Sequence, residues 1–261
     1  MGVLDLFSLQ DRCVVVTGAG SGIGRAIAAA TAEAGASVVC AGRSDATDDA
    51  AREITKSGGR AVSQRTDVTS EPEVEALMAR AAREFGGPDA VFCNAGSSDY
   101  YKPPHEATRE EWDDVIATNL TSVFLCVKHA VRHMLPRESG KLILTASIWG
   151  EIGADSTPIP GYAAAKGGVI NLTRELALEY AGAGLTVNAL SPGFFSTKIG
   201  WDKDVDPAVI DRLIEGAHKR MPTGRIMDPA EIKGSAVFLA SKASDAVNGH
   251  ILTVDGGLLA A

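Results

Sequence analysis

Cysteine is scarce in this sequence, positive charge is in deficit, and no long apolar run occurs. Of 261 residues only four are cysteine. Cys13, Cys40, Cys93 and Cys126 each lie inside an apolar run. No two are spaced as CxxC and none stands with histidine at a zinc spacing, so no metal site is expected. The thiols should be buried and reduced, as in a cytoplasmic protein. The formal net charge is −8 at pH 7, and phosphate binding needs clustered positive charge, which argues against nucleic acid as the main partner. Lys128, Arg132 and His133 come nearest to a basic patch and read as a solvated helix face. No apolar stretch approaches the roughly 20 residues that span a bilayer. Met1 to Arg12 lacks a basic segment followed by an apolar one, so no signal peptide is expected.

What is present has the balance of a soluble globular protein, 45% hydrophobic and 22% charged. The length suits one large α/β domain over residues 1–261 and is short for two. Short β-branched runs alternate with longer helical ones. Strands are expected at Cys13–Thr17, Ser37–Ala41, Ala61–Thr66, Ala90–Cys93, Lys141–Thr145, Leu185–Leu190 and Ile251–Val254. Helices are expected at Gly22–Ala34 with Gly35 as stop signal, near Ala46–Lys56, and at Glu71–Phe85. Ser70 with Glu73, Thr108 with Glu111, and Asp228 with Glu231 fit capping-box spacing, and Pro72 and Pro229 sit near first turns. The strands read as continuous apolar runs, as when helices cover both sheet faces. The expected fold is a single-domain, Rossmann-like, doubly wound parallel α/β sheet with helices on both faces.

Thr17-Gly18-Ala19-Gly20-Ser21-Gly22-Ile23-Gly24 falls between the first strand and the first helix. Such a turn lets the backbone approach a pyrophosphate, which rests on the amides and positive end of the helix. The spacing is G-x-x-x-G-x-G and not the common G-x-G-x-x-G. A tight strand–helix turn needs glycine anyway, but the position, in the first such unit, favours a dinucleotide.

Further motifs follow in order: Asn94-Ala95-Gly96, Asn119, Ser147, Tyr162-x-x-x-Lys166, and Pro192-Gly193 with Thr197. With the TGxxxGxG turn they span nearly the whole chain, and the sequence resembles the short-chain dehydrogenase/reductase family. The resemblance implies a nicotinamide-dependent enzyme that moves a hydride between cofactor and a carbonyl/secondary alcohol pair. It implies catalytic roles for Ser147, Tyr162, Lys166 and Asn119. It implies cofactor contacts at Gly18, Ser21, Gly22, Ile23, Gly24, Arg43, Ser44, Asp67, Val68, Asn94, Ala95, Gly96, Tyr162, Lys166, Pro192, Gly193 and Thr197. The segment Ser147 to Tyr162 is about two residues longer than in typical members.

The catalytic set has a physical rationale. Tyr162 and Lys166 are one helical turn apart and share a face. A tyrosine ordinarily ionises near pH 10, and a nearby ammonium, with the positive nicotinamide of oxidised cofactor, favours the phenolate. In the family the lysine also bonds the nicotinamide ribose, the asparagine holds a relay water, and the serine bonds the substrate oxygen. The second strand ends at Gly42-Arg43-Ser44, where NAD-preferring relatives carry an acidic residue. Its absence favours NADP over NAD, although Asp45 stands within reach of the ribose and Ser21 occupies a position that is basic in many NADP relatives.

The substrate side is expected to include Trp149, Glu151 and Asp155 in the long segment, and Phe194, Phe195, Trp201 and Met221 in a covering segment at about 194–222. Leu4–Leu9 and the ending Val247-Asn248-Gly249-His250 with Asp255-Gly256-Gly257 are similar to sugar-acid and polyol members, such as gluconate 5-dehydrogenase-like proteins. That points to a sugar acid, polyol or hydroxy ketone. A 3-oxoacyl thioester reductase and a non-catalytic cofactor-sensing regulator are the alternatives; regulators on this fold tend to lose the Tyr/Lys pair. Val115, Ile116, Leu120, Val123, Phe124 and Val127 are more apolar residues than one core stripe needs, and the family pairs these helices across subunits, so a homotetramer is expected.

Overall fold

The computed structural model describes residues 2–154, 157–197 and 207–261. Seven parallel strands form one sheet: β1 (Cys13–Thr17), β2 (Ser37–Gly42), β3 (Arg60–Arg65), β4 (Ala90–Cys93), β5 (Gly140–Thr145), β6 (Leu185–Pro192) and β7 (Ile251–Val254). Their spatial order is β3-β2-β1-β4-β5-β6-β7. The order reverses between β1 and β4, and at such a switch point a crevice opens beyond the carboxyl ends of the strands.

Among the described residues eight helices connect the strands: α1 (Gly22–Glu33), α2 (Ala46–Lys56), α3 (Glu71–Phe85), α4 (Arg109–Ile116), α5 (Ser122–Met134), α6 (Pro160–Tyr180), α7 (Pro207–Arg220) and α8 (Lys233–Ala240). Alternate residues of β1 explain the layering. Cys13 and Val15 join one core with residues of α3, α5 and α6. Val14 and Val16 join another with residues of α1, α2 and α8. Period-two alternation thus buries both faces, as a parallel sheet demands. The edge strand β3 departs from the continuous apolar pattern, with Arg60 and Arg65 exposed at its ends. All four cysteines are buried as free thiols. Burial pushes the Cys13 and Cys40 thiols up to about 12. Among the described residues no helix is long and apolar enough to cross a membrane.

Two of the three capping boxes form. Thr108 accepts the Glu111 amide at the start of α4 while Glu111 accepts the Thr108 amide. Asp228 and Glu231 reciprocate at a short 3-10 turn, Pro229–Ile232. Ser70 makes no such bond. Glu73 reaches past it to accept the Asp67 amide at 2.7 Å, because Asp67 turns back on itself to accept from Thr69 N and Oγ1.

These caps should differ in weight. Thr108→Ala is expected to cost about 1 kcal/mol, the usual worth of an N-cap hydroxyl. Ser70→Ala should stay within about 0.5 kcal/mol, as at surface positions without such a bond. Thermal unfolding of both variants checks this; an equal loss in the two would mean that the Ser70 hydroxyl caps α3 after all.

Candidate active site

The sequence motifs converge at the carboxyl ends of β1, β4, β5 and β6. Thr17 closes β1, and its side chain binds the next strand's turn. The Thr17 hydroxyl donates to Phe92 O at 3.2 Å and accepts the amides of Asn94 and Ala95 at 2.9 and 3.0 Å. Asn94 returns the contact, Nδ2 donating to Thr17 O at 3.0 Å. The glycine turn is therefore locked to the Asn94–Gly96 turn. A Cβ on Gly24 would stand 2.1 Å from Gly18 O and 2.6 Å from Asn94 Nδ2, so only glycine lets α1 begin this close to β1. Thr197 lies across the mouth of the turn, its methyl 3.0 Å from where a Cβ on Gly22 would be. Ser21 precedes α1 without using its side chain as a cap, and Ile23 packs on the core. This backbone cradle at a helix N-terminus fits a dinucleotide pyrophosphate.

On the other side of the glycine turn lies the end of β2, paired with β1. Arg43 and Ser44 are exposed just beyond it. The Arg43 carbonyl accepts from Arg65 Nε and Nη2 at 3.1 and 2.8 Å. Asp45 pairs with Arg65 at 3.1 Å, which draws its carboxylate to the guanidinium. Thr47 Oγ1 is buried without a hydrogen-bond partner, and a Cβ on Gly42 would stand 2.7 Å from it. Partial burial would raise the Asp67 pKa, but hydrogen bonds from Thr69, with the Arg43 charge, hold it below its ordinary value. Val68 beside it is buried.

Asn119 stands where the helix widens. The chain after Thr108 is not one regular helix: Ala117–Thr121 forms a π-turn between α4 and α5. Single π-turns of this kind recur at functional sites. Asn119 Nδ2 donates to Val115 O at 3.0 Å, and Oδ1 accepts the Ser97 amide at 3.2 Å. A Cβ on Gly96 would come within 2.8 Å of Asn119 Oδ1 and 3.8 Å of Lys166 Nζ. These three residues are thus neighbours.

Lys166 is buried, and its Nζ donates to Thr145 O at 2.7 Å. The same nitrogen lies 5.5 Å from the Tyr162 ring centroid. Ser147, two residues beyond β5, accepts the Trp149 amide at 3.3 Å and bonds Tyr162. Burial pushes the Tyr162 phenol up to about 12, against a downward pull from the Ser147 bond. Burial also brings the Lys166 ammonium down to about 8. The ammonium expected to lower the phenol does not do so in the protein alone: desolvation dominates, and the downward pull comes from Ser147. At neutral pH Tyr162 is a phenol, the form that donates a proton.

Pro192 ends β6 and Gly193 follows, its amide donating to Val254 O at 2.9 Å and its Cα facing Asp255 where a Cβ would be 2.8 Å from that backbone. Phe194 leads away from this turn and meets Trp149 edge to face, ring centroids 5.7 Å apart. The Arg220 guanidinium covers the same indole at 5.3 Å. Phe195, Met221 and Met227 complete this apolar group with Ile148 and Leu258. Glu151, expected to face substrate, has Oε1 accepting from Ser191 Oγ at 2.7 Å and Thr253 Oγ1 at 3.4 Å. Trp201 and Asp155 lie outside the described residues. Thr47 and Arg220 stand at the site with no sequence motif to mark them. Asp99, which accepts the Tyr162 amide, and Tyr101, left-handed at φ 58°, are marked only in three dimensions.

Comparison with known proteins agrees with this geometry. Residues 18–259 match a family model described as enoyl-(acyl carrier protein) reductase. The chain is 44% identical to cis-4-hydroxycyclohexanecarboxylate dehydrogenase of Sinomonas cyclohexanicum, over 97% of this chain and 98% of that one. It is 39% identical to 5-keto-D-gluconate 5-reductase of Escherichia coli K12, over 98% and 99% of the two. A crystal structure of a gluconate 5-dehydrogenase from Burkholderia cenocepacia, in complex with NADP and tartrate, superposes with TM-score 0.90 at 35% identity and covers all of both chains. Likeness of this extent in sequence, together with the same fold from end to end, means that the chain belongs to the short-chain dehydrogenase/reductase family.

Proposed function

We propose that the protein is an NADP-dependent oxidoreductase that interconverts the secondary alcohol and ketone of a hydroxy acid. The observation that carries this is the convergence of Ser147, Tyr162 and Lys166 beside the glycine cradle. When bound, the nicotinamide supplies or accepts the hydride. The chain's own residues do the rest. Tyr162 Oη gives a proton to the carbonyl oxygen in reduction and takes it back in oxidation. Ser147 bonds that same oxygen and fixes its place. Lys166, anchored on Thr145, puts a cation beneath the phenol and favours its ionised form in the oxidative direction.

Two relatives suggest the substrate class. One is named for cis-4-hydroxycyclohexanecarboxylate and the other for 5-keto-D-gluconate. The hydroxyl carbon of the first compound and the keto carbon of the second lie equally far along the carbon skeleton from the carboxylate carbon. A carboxylate at that separation is the proposed common feature, with Trp149 and Phe194 packing on the intervening carbons. NADP is supported by Gly42, which leaves no carboxylate to repel a 2′-phosphate, and by the NADP in the Burkholderia structure. A 3-oxoacyl thioester reductase is the second reading, supported by 35% identity to a 3-oxoacyl-[acyl-carrier-protein] reductase of Vibrio cholerae. The intact Tyr162/Lys166 pair argues against a non-catalytic regulator.

A homotetramer acting in the cytoplasm fits the remaining features. Val115, Val123 and Val127 are buried, but Phe124 is 51% exposed. It lines a groove with Leu120 and Leu172 between α5 and α6, and a partner subunit would cover it.

Four measurements test these statements. Tyr162→Phe should lower turnover by about 100- to 10,000-fold while cofactor affinity is kept. Assaying oxidation and reduction of hydroxy acids, polyols and a 3-oxoacyl thioester separates the two readings; turnover of the thioester alone would overturn the hydroxy-acid assignment. Gly42→Asp should move the NADP/NAD ratio of kcat/KM towards NAD by at least about tenfold, through like-charge repulsion. A wild type that already prefers NAD would remove the argument from Gly42. Light scattering should give a tetramer, and Phe124→Glu should dissociate it; a monomeric wild type at micromolar concentration contradicts the assignment.

A further inference from the structure

Helix α6 has no cap of its own. The preceding residue, Ile159, offers no side-chain acceptor and has irregular backbone angles, φ −136° and ψ 49°. The amides of the first turn therefore need acceptors from elsewhere. One comes from the segment after β4. Asp99 Oδ2 accepts the Tyr162 amide at 2.7 Å, while Oδ1 accepts the Tyr100 amide at 2.7 Å. Asp99 is only 6% exposed. A Cβ on Gly161 would stand 3.3 Å from Oδ2 and 3.2 Å from Val115 Cγ1, so the glycine before Tyr162 makes room for the carboxylate.

The residues after Asp99 are held as firmly. Tyr101 has φ 58°, a left-handed conformation that a bulky side chain keeps only when its surroundings impose it. Tyr100 Oη donates to Asp114 Oδ2 at 3.0 Å. Lys102 pairs with Glu111 at 2.6 Å. The corner is thus fixed to α4 on one side and to α6 on the other. The Tyr101 phenol lies near enough to Tyr162 that a charge on it would raise the Tyr162 pKa further, which sets the corner beside the reacting group.

We infer that Asp99 is a positioning residue for the reaction: its carboxylate ties the Tyr100–Tyr101 corner to the backbone of Tyr162, so that α6 and this corner together set where the phenol oxygen meets substrate. The inference rests on the reading of Tyr162 as proton donor. Helix capping alone would make Asp99 a contributor to stability. A positioning role adds a loss in the chemical step, because a displacement of about 1 Å at a reacting group costs about 100-fold.

The test uses the full-length protein with NADPH and whichever carbonyl compound the substrate panel shows to be reduced. Asp99→Ala is expected to lower kcat by about 30- to 100-fold, and Asp99→Asn, which keeps one acceptor, by about 3- to 10-fold. The Kd for NADPH should stay within about twofold, since the cradle is untouched. The same Asp99→Asn change in a Tyr162→Phe background should leave the residual rate within about twofold, because the group being positioned is gone. If Asp99→Ala does not fold, Asp99→Asn and its double variant carry the test. Wild-type kcat in Asp99→Asn with only a lower melting temperature would reduce Asp99 to a cap and overturn the inference. An equal loss with and without the Tyr162 hydroxyl would do the same. A Tyr162→Phe enzyme that turns over within a few-fold of wild type would overturn the proton-donor reading itself, which the Asp99 variants alone cannot do.

Discussion

The Thr17 hydroxyl joins the two halves of the site. It bonds Phe92 O and the amides of Asn94 and Ala95, and Asn94 bonds back to Thr17 O. Parallel strands β1 and β4 are neighbours only because the chain crosses over at the switch point. Their ladder runs only to Val16 and Phe92, and the helices that follow leave on opposite faces of the sheet, so the tie beyond the ladder comes from Thr17. One buried hydroxyl, with its donor and its acceptor capacity both used, holds the glycine cradle at a set distance from the turn that borders Asn119 and Lys166. Removing it would leave buried amides without acceptors, the costlier kind of hydrogen-bond loss.

Burial governs the chemistry more than proximity of charge does. Lys166 lies under Tyr162 at cation–π range, yet desolvation raises the phenol and lowers the ammonium. Each shift favours the neutral form, as a low-dielectric site must. The protein alone therefore presents a protonated phenol and a lysine that titrates near neutral pH. Oxidation of an alcohol needs the phenolate, so the balance has to be tipped by charge that arrives with the reactants. The same cleft can in this way serve both directions without rearranging its side chains.

Most of the architecture was legible in the residues. The positions of the strands and of the first three helices agree to within a residue or two because each is marked by composition: valine-rich runs for β1 and β2, alanine-rich amphipathic stretches for α1 and α3, glycine at the turns. The site motifs were legible because they are local words, TGxxxGxG, NAG and YxxxK. What was not legible depends on contacts between distant segments. The spacing of Ser70 and Glu73 suits a capping box, but Asp67 competes for Glu73 and wins. Asn119 sits at a π-turn that no composition announces. Asp45 is withdrawn by Arg65 from the next strand over.

The substrate wall shows the same limit from the other side. Glu151 and Trp149 lie two residues apart in one short segment, yet the fold gives them different partners. The Glu151 carboxylate joins Ser191 and Thr253 at the ends of β6 and β7. It thereby fastens the turn after Ser147 to the strands that carry Pro192 and Gly193. Trp149 packs instead between Phe194 and Arg220. A carboxylate occupied by two hydroxyls is a brace, and a brace there steadies Ser147 as well, since Trp149 N donates to that serine's oxygen. Under the proposed function, substrate would meet the aromatic and cationic surface of Trp149, Phe194 and Arg220 that this brace holds in place, beside a Glu151 whose Oε1 is engaged by Ser191 and Thr253.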